Sequence, residues 1–281
     1  MILEDVALCI LTRGRAEKQI ALKNLPLKLR KYIYLVVDED EYRLHKQYIT
    51  RCKKILKFPS GWGHFNGNFS DKKQWTADNI NKKFCFFIDD DVTFSARHDG
   101  KLLKATKQDV YDAFNTMYHW MADDGFAHVG MSPRGGNNRV EEDSQEVTRA
   151  VTVCAFNLDI IRKEGLSLNR TLLMADFDAT LNLLELGYPN KVTYKYAYGQ
   201  VSNSEGGCSL YRTPETMKEA SNILHGLHKN YVRVDIKKTT TPWHGFKTNQ
   251  RTDVTISWKK AFKDGEARRR NKAGGFSKFL K

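Results

Sequence analysis

Short apolar runs alternate with helix-spaced segments through the first two thirds of the chain. The segment "DVALCILTRGR" reads as a strand entering a polar loop, and "EKQIALKNL" as a helix carrying Ile20, Leu22 and Leu25. "KYIYLVVDEDE" is a second strand ending in acids, "YRLHKQYITRC" a second helix and "KKILKFP" a short third strand. Past the loop "SGWGHFNGNFS", made of Gly, Asn and aromatics, "DKKQWTADNINKK" reads as a helix and "FCFFIDDDVTF" as one further strand. Unbroken apolar strands separated by helices predict an α/β fold, a mainly parallel central sheet with helices on both faces. Ligands collect at the carboxyl ends of such strands, and residues 12–15, 38–40 and 89–91 all fall there.

Beyond a helix near 107–122 the pattern changes. "FAHVGMS" and "RAVTVCAFN" read as strands around the loop "PRGGNNRVEEDSQEV", and a helix over 176–185 stops at Gly187 with Pro189 two residues on. A strand from Lys191, a Gly-rich loop, a helix around 214–228 and then mixed, basic sequence complete the chain. The expected division is one domain over 1–235 and a basic C-terminal extension over 236–281.

Composition narrows the class. In 281 residues, 41% hydrophobic and 28% charged, no run approaches the roughly 18 apolar residues of a membrane span. Glu4 and Asp5 stand where a signal peptide needs basic residues, so no membrane partner and a cytoplasmic location (the host's, for a phage protein) are expected. Cys9, Cys85 and Cys154 lie in apolar runs, which predicts buried thiols in a reducing compartment rather than a zinc site or disulfides. The net charge of +13 attracts polyanions. Residues 259–281 hold nine Lys/Arg against two acids and read as a mobile arm suited to phosphate contacts.

The chemistry starts at Asp89, Asp90 and Asp91, three like charges closing an apolar strand. A carboxylate pair at i, i+2, here Asp89 and Asp91, can grip Mg²⁺ or Mn²⁺ beside a phosphate; a solvated turn is the plainer alternative. The string resembles two families. In haloacid-dehalogenase-like phosphatases D-x-D-x-T supplies a nucleophile and a general acid, which Asp89, Asp91 and Thr93 would fit. In GT-A glycosyltransferases a D-x-D after an apolar strand binds the metal and the diphosphate of a nucleotide sugar.

A second motif separates them. "MADFDATLNLLELGY" resembles the acceptor-side signature of inverting family-2-type glycosyltransferases. The resemblance implies that Asp176 is the catalytic base, Asp178 the second acid and Gly187 the closing glycine. Ala175 departs from the family's Glu, and Asn182 from its Arg. A carboxylate beside an acceptor hydroxyl is what the chemistry needs, although Asp176 could equally cap a helix whose Phe177, Leu181 and Leu184 face the core. "CILTRGR" resembles the opening strand and loop of GT-A enzymes, implying nucleotide contacts from Thr12, Arg13 and Arg15, with Asp38 near the base or ribose. "SDKKQWTADN" resembles the helix that brings a cation to the diphosphate, so Lys72 and Lys73 are candidates, and Asp90 joins the donor set.

The pattern of the whole chain, through "SNSEGGCSLYRTPE" and "RTDVTISWKKAF", is most similar to the phage TET/JBP-associated glycosyltransferases, which modify hydroxymethylated bases in DNA. That resemblance implies a metal-dependent (Mn²⁺ or Mg²⁺) enzyme with a nucleotide-sugar donor, a UDP-sugar first, acting on 5-hydroxymethylcytosine in DNA. Arg134, Arg139, Arg149 and the terminal arm would flank the DNA, and Trp62, Phe65 and Trp243 could support a base leaving the stack. A glycan or lipid acceptor, or the phosphatase, are the alternatives. Downstream histidines (His225, His228, His244) read as surface or core residues.

Overall fold

A computed structural model describes residues 5–200, 211–238 and 250–277, with backbone alone for 272–277. Cys208, Trp243 and His244 lie outside the described residues. Four apolar strands, β1 (Val6–Leu11), β2 (Ile33–Asp38), β3 (Lys54–Phe58) and β4 (Phe84–Asp89), lie parallel in the order β3-β2-β1-β4. Their side chains alternate between two cores. Val6, Leu8, Ile10, Phe86 and Ile88 face a cluster with α1 (Ile20–Asn24) and α4 (Lys107–Ala122). Ala7, Cys9, Leu11, Cys85 and Phe87 face the opposite cluster with α3 (Phe69–Asn79), α5 (Leu158–Lys163) and α6 (Ala175–Glu185). Both sides are therefore covered by helices, which explains why the strands read as continuous apolar runs. Phe86 and Phe87 have no exposed surface, and truncating either to Ala would cost about 3–5 kcal/mol. The four described cysteines (Cys9, Cys52, Cys85, Cys154) are buried free thiols.

The remaining strands extend the sheet to ten. After β4 come β9 (Val153–Asn157), β7 (His128–Pro133), β10 (Asn190–Gln200), β5 (Val92–His98) and β6 (Lys101–Lys104), with β8 (Ser144–Glu146) paired to β10. β7 and β10 run parallel to each other, while β9 runs against both β4 and β7. The segment "FCFFIDDDVTF" is two strands rather than one. β4 ends at Asp89, the chain turns through Asp90 and Asp91, and β5 leaves to pair with β10. The expected second helix is only α2 (Tyr42–His45) with a 3-10 turn behind it.

The C-terminal segment is a further difference. The expected boundary at 235/236 falls inside β11 (Val232–Lys238), which pairs with β12 (Gln250–Ile256). Residues 258–277 form α8 (Trp258–Ser277), which packs on α6. Leu181 and Leu184 of α6 share a core with Ala261 of α8, with Tyr231 and Val232, and with Leu224 of α7 (Pro214–Leu227). Gly265 allows the close crossing of α6 and α8, because a Cβ there would stand 2.2 Å from the Leu184 carbonyl oxygen. Arg268 and Arg269 donate to the carbonyls of Glu185 (3.0 Å) and Gly187 (3.3 Å) at the end of α6, a favourable place for cations at a helix C-terminus. These arginines of the predicted free arm are therefore committed to packing.

Candidate active site

The loop after β1, the turn after β4 and the start of α6 meet at the carboxyl edge of β1 and β4, which are in register at Leu11 and Asp89. Asp90, placed by sequence among the donor-binding residues, turns inward. Its carboxylate accepts from the Thr12 hydroxyl (2.5 Å) and from Arg15 Nη1 (2.6 Å), and Gln19 donates to Thr12 Oγ1 (2.8 Å). Burial raises the Asp90 pKa, opposed by Arg15 and Thr12. Thr12, Arg15 and Asp90 thus form one buried brace that sets the β4 turn. Arg15 also reaches Asp91 at 3.2 Å.

Asp89 and Asp91 flank this brace. The Gln200 amide donates to Asp89 Oδ2 (3.1 Å) and to Asp91 Oδ1 (3.4 Å), so the last residue of β10 spans the pair. Asp89 is pushed up to about 8, by burial first, against Lys73, and then by Asp176, Asp91 and Asp90. A carboxylate held near that value lacks positive charge, and two hard oxygen donors side by side fit Mg²⁺ or Mn²⁺. Among the described residues no group of three or more His, Cys, Asp or Glu side chains could hold a metal. Asp89 and Asp91 would supply two carboxylates to such a cation.

Lys72 and Lys73, adjacent on α3, go to different places. Lys72 is 1% exposed; its ammonium donates to the Thr12 carbonyl (2.7 Å) and pairs with Asp38 Oδ1 (2.9 Å). Burial lowers its pKa, opposed by Asp38. It joins the end of β1 to the end of β2. Asp38 Oδ2 accepts no hydrogen bond and has Arg13 Nε 3.5 Å away, which leaves an acceptor for a ligand N–H or O–H. Arg13 also donates to the Gly67 carbonyl (3.3 Å) of the aromatic loop.

Lys73 pairs with Asp176 Oδ1, and its pKa is raised: burial opposes, and Asp176, Cys154 and Asp89 overcome it. The ammonium is thus close enough to both Asp176 and Asp89 to feel their charge. Asp176 is not the helix cap. Met174, in left-handed backbone at φ 63°, is the N-cap, and Asp176 lies in the first turn. Such a conformation in a residue with a side chain marks stored strain beside the site. Phe177, next in line, has Trp258 edge-on at 5.8 Å and the exposed Arg149 guanidinium 4.9 Å from its ring centre.

Asp178, expected as the second acid, has no exposed surface. Arg170 Nε donates to its Oδ2 at 3.0 Å and His228 Nε2 lies 2.8 Å from its Oδ1. Arg170 also donates to Asn182 Oδ1 at 2.7 Å, so a guanidinium from the preceding loop reaches the position where the sequence pattern lacks its Arg. His228 Nδ1 faces Glu185. Burial lowers the His228 pKa, but the hydrogen bonds to Asp178 and Glu185 overcome it and raise it. Protonated in the fold, this ring stabilises the native state below its ordinary titration range, and the contribution is lost as pH rises through the raised value. His228→Gln should lower stability by about 3 kcal/mol at pH 6. In thermal melts of both proteins the gap should narrow toward pH 9; a constant gap would mean a neutral ring.

Asp71 is a site residue that sequence reading missed. Its carboxylate accepts from the backbone N–H of His64 (3.1 Å), Phe65 (2.8 Å) and Gly67 (3.2 Å), and from the Asn169 amide (2.8 Å), fixing the loop after β3. A Cβ at Gly63 would stand 2.2 Å from Asp71 Cγ, so only glycine fits there. Trp62 packs edge-on against Phe58 at 6.1 Å, and Phe65 is half-buried. Arg134 and Arg139 are exposed on the loop after β7.

A sequence-family profile described as TET-Associated Glycosyltransferase matches residues 6–207. Staphylococcal (S. aureus) TarS 1–349 in complex with UDP-GlcNAc aligns over 80% of this chain and 67% of its own, at 14% identity and TM-score 0.52. The same fragment with UDP aligns over 80% and 66%, at 11% identity and TM-score 0.50. GalNAc-T7 with UDP, GalNAc and Mn²⁺ aligns over 78% of this chain and 48% of its own, at 8% identity and TM-score 0.53. These solved structures share the fold, that of GT-A glycosyltransferases. No curated protein matches the sequence.

Proposed function

Because the chain belongs to the TET-associated glycosyltransferase family, we propose that it moves a sugar from a nucleotide-sugar donor to the hydroxyl of 5-hydroxymethylcytosine in DNA. The observation that carries this reading is the meeting of Asp89 and Asp91 with Asp176 around Lys73. Donor-side and acceptor-side carboxylates are needed together for transfer, and a phosphatase needs no acceptor-side base. The phosphatase's threonine, Thr93, donates to the Gly199 carbonyl at 3.2 Å.

Asp38, with its spare Oδ2, and Arg13 are the groups for the nucleoside. Asp89 and Asp91 would hold Mn²⁺ or Mg²⁺ against the donor diphosphate. The bound ion supplies charge stabilisation to the leaving group. Asp176, aimed by Lys73, takes the proton of the acceptor hydroxyl while its oxygen attacks the anomeric carbon and the bond from that carbon to the diphosphate oxygen breaks, releasing the nucleoside diphosphate in a single displacement that inverts the centre. Asp178 acts as a positioning residue, holding α6 through Arg170 and His228.

The DNA acceptor is supported by the family's name, by the net charge of +13 and by Arg149 lying on Phe177 beside the base. The structures bound to UDP-GlcNAc and UDP favour a UDP-sugar. The test is to incubate the protein with Mn²⁺, a panel of nucleotide sugars and duplex containing hydroxymethylcytosine, then weigh the nucleosides. A hexose-sized gain on that nucleoside alone is expected. Transfer to glycans or lipids, with DNA untouched, would replace the acceptor.

A further inference from the structure

Three stretches of the sequence, 18–37, 42–70 and 100–108, contain fourteen Lys and Arg and not one acid. The fold brings them together. Lys107 donates to the Lys23 carbonyl (2.6 Å), Lys28 to the Gln108 side chain (2.6 Å), and Arg51 to the Leu22 carbonyl (3.4 Å). A groove lined by Leu27, Lys28, Arg30, Lys31, Cys52 and Lys53 opens at this junction. It lies where the chain enters β2 and β3, at the amino ends of the strands whose carboxyl ends carry Asp38 and the aromatic loop. It is therefore distinct from the cleft of Asp89 and Asp176.

Two observations mark it as a surface built for an anion. Among the described residues none of the groove's cations forms an ion pair, and neither do Arg51, Lys104 or Lys107. The acids of the adjoining α4 are engaged locally, Asp109 in the cap of that helix and with His98, and Asp112 with Gln108. Mutual repulsion is felt: the Lys107 pKa is lowered, by burial first and then by Arg51 and Lys104. Second, three lysines are held over rings, Lys28 over Tyr111 at 3.5 Å, Lys31 over Tyr32 at 5.0 Å and Lys53 over Tyr34 at 5.4 Å. Lysines that are fixed on aromatic faces lose less freedom when they bind.

We infer that this groove is a second nucleic-acid contact, gripping the phosphate backbone of duplex DNA away from the nucleotide undergoing transfer. The inference rests on the DNA acceptor proposed above and extends it. Phosphodiester backbone fits because it presents regularly spaced single charges, to which unpaired cations bind with release of counterions. A membrane is the poorer match: the groove offers one exposed apolar side chain, Leu27 at 65%, where membrane docking needs an apolar stripe. A backbone grip outside the cleft would hold the polymer between transfers, so successive targets on one duplex are modified in a single encounter.

The experiment uses the full chain with Lys28, Arg30, Lys31 and Lys53 all changed to Glu. Its partner is a charge-matched variant with Lys163, Lys218, Lys229 and Lys259 changed to Glu, all four also exposed. Thermal melts establish that both fold. Affinity for unmodified duplex is then measured against salt, together with transfer onto a single hydroxymethylated site and onto a duplex with many. The groove variant should bind at least about 10-fold more weakly at low salt, with the salt slope reduced by about one for each cation lost. It should also leave multi-site duplexes partly modified, while the charge-matched variant stays close to wild type. Equal losses in the two variants would overturn the inference, as would lost binding to phosphatidylserine vesicles with DNA binding intact. Failure of the acceptor reading looks different: the groove variant loses duplex affinity, yet no hydroxymethylated duplex gains a sugar from any form of the protein.

Discussion

Asp176→Asn is expected to cut sugar transfer by about 10³-fold while donor binding survives. The amide keeps the size of the carboxylate and can still accept a hydrogen bond from Lys73, so α6 stays where it is. What it loses is the capacity to take the acceptor's proton as the new bond forms. The fall should appear in kcat with the KM for the donor unmoved, the pattern of an interaction made only in the transition state. Asp178→Asn gives the contrast. It removes charge from a buried network with Arg170 and His228, so its damage should show first in thermal melting. If Asp176→Asn kept a tenth of wild-type turnover, another group would have to be the base.

Asp89→Asn should be nearly as damaging to transfer, by about 10²-fold or more, but for a different reason and with an opposite effect on the fold. In metal-free protein Asp89 is pushed up to about 8 by burial and by its acidic neighbours. For an acid so shifted, the folded state holds a proton that the unfolded chain has released, and stability declines as pH climbs from about 4 toward 8. Asparagine removes that decline. In the presence of a chelator, then, Asp89→Asn should melt at or above the wild-type temperature at pH 8. Adding Mn²⁺ with UDP should raise the wild-type melting temperature and leave the variant's where it was, since binding to the native state alone stabilises it. A variant that is less stable without metal and equally stabilised with it would deny Asp89 its role as a ligand.

Much of the edge formed by β1, β2 and β4 was legible because its signals are local. Apolar strands that stop at polar residues placed Thr12, Asp38 and Asp89–Asp91 along one edge, and the register of β1 and β4 agrees. Local signals also misled. "YRLHKQYITRC" has helical spacing, but it buries His45, Tyr48 and Cys52 while leaving Leu44 and Ile49 59% and 58% exposed, so its aliphatic residues do not gather on the core face. The split between β4 and β5 was hidden because Val92 and Phe94 continue the apolar pattern past the turn. The terminal helix went unread because its fully buried positions are the small Ala261 and Gly265, and the partly buried Trp258 and Phe262 beside them make only a short apolar face in a strongly basic stretch. The partners of Asp178 lie on other elements: Arg170 comes from the loop before α6 and His228 from the end of α7. Gln200 is brought to Asp89 by the pairing of β10 with β5. Only a folded chain displays those meetings.

The tight seat of Gly265 on Leu184 carries a lesson about inheritance. The profile shared with relatives stops at residue 207, yet the helix bearing Asp176 is clothed on its outer side by residues beyond that point. Drift in those last seventy or so positions can nudge the helix bearing Asp176 while the strand ends bearing Thr12, Asp38 and Asp89 stay untouched. Lineages could in this way exchange one recipient for another by rewriting a tail, and a chimera that grafts a foreign tail would betray the swap through its preference among recipients.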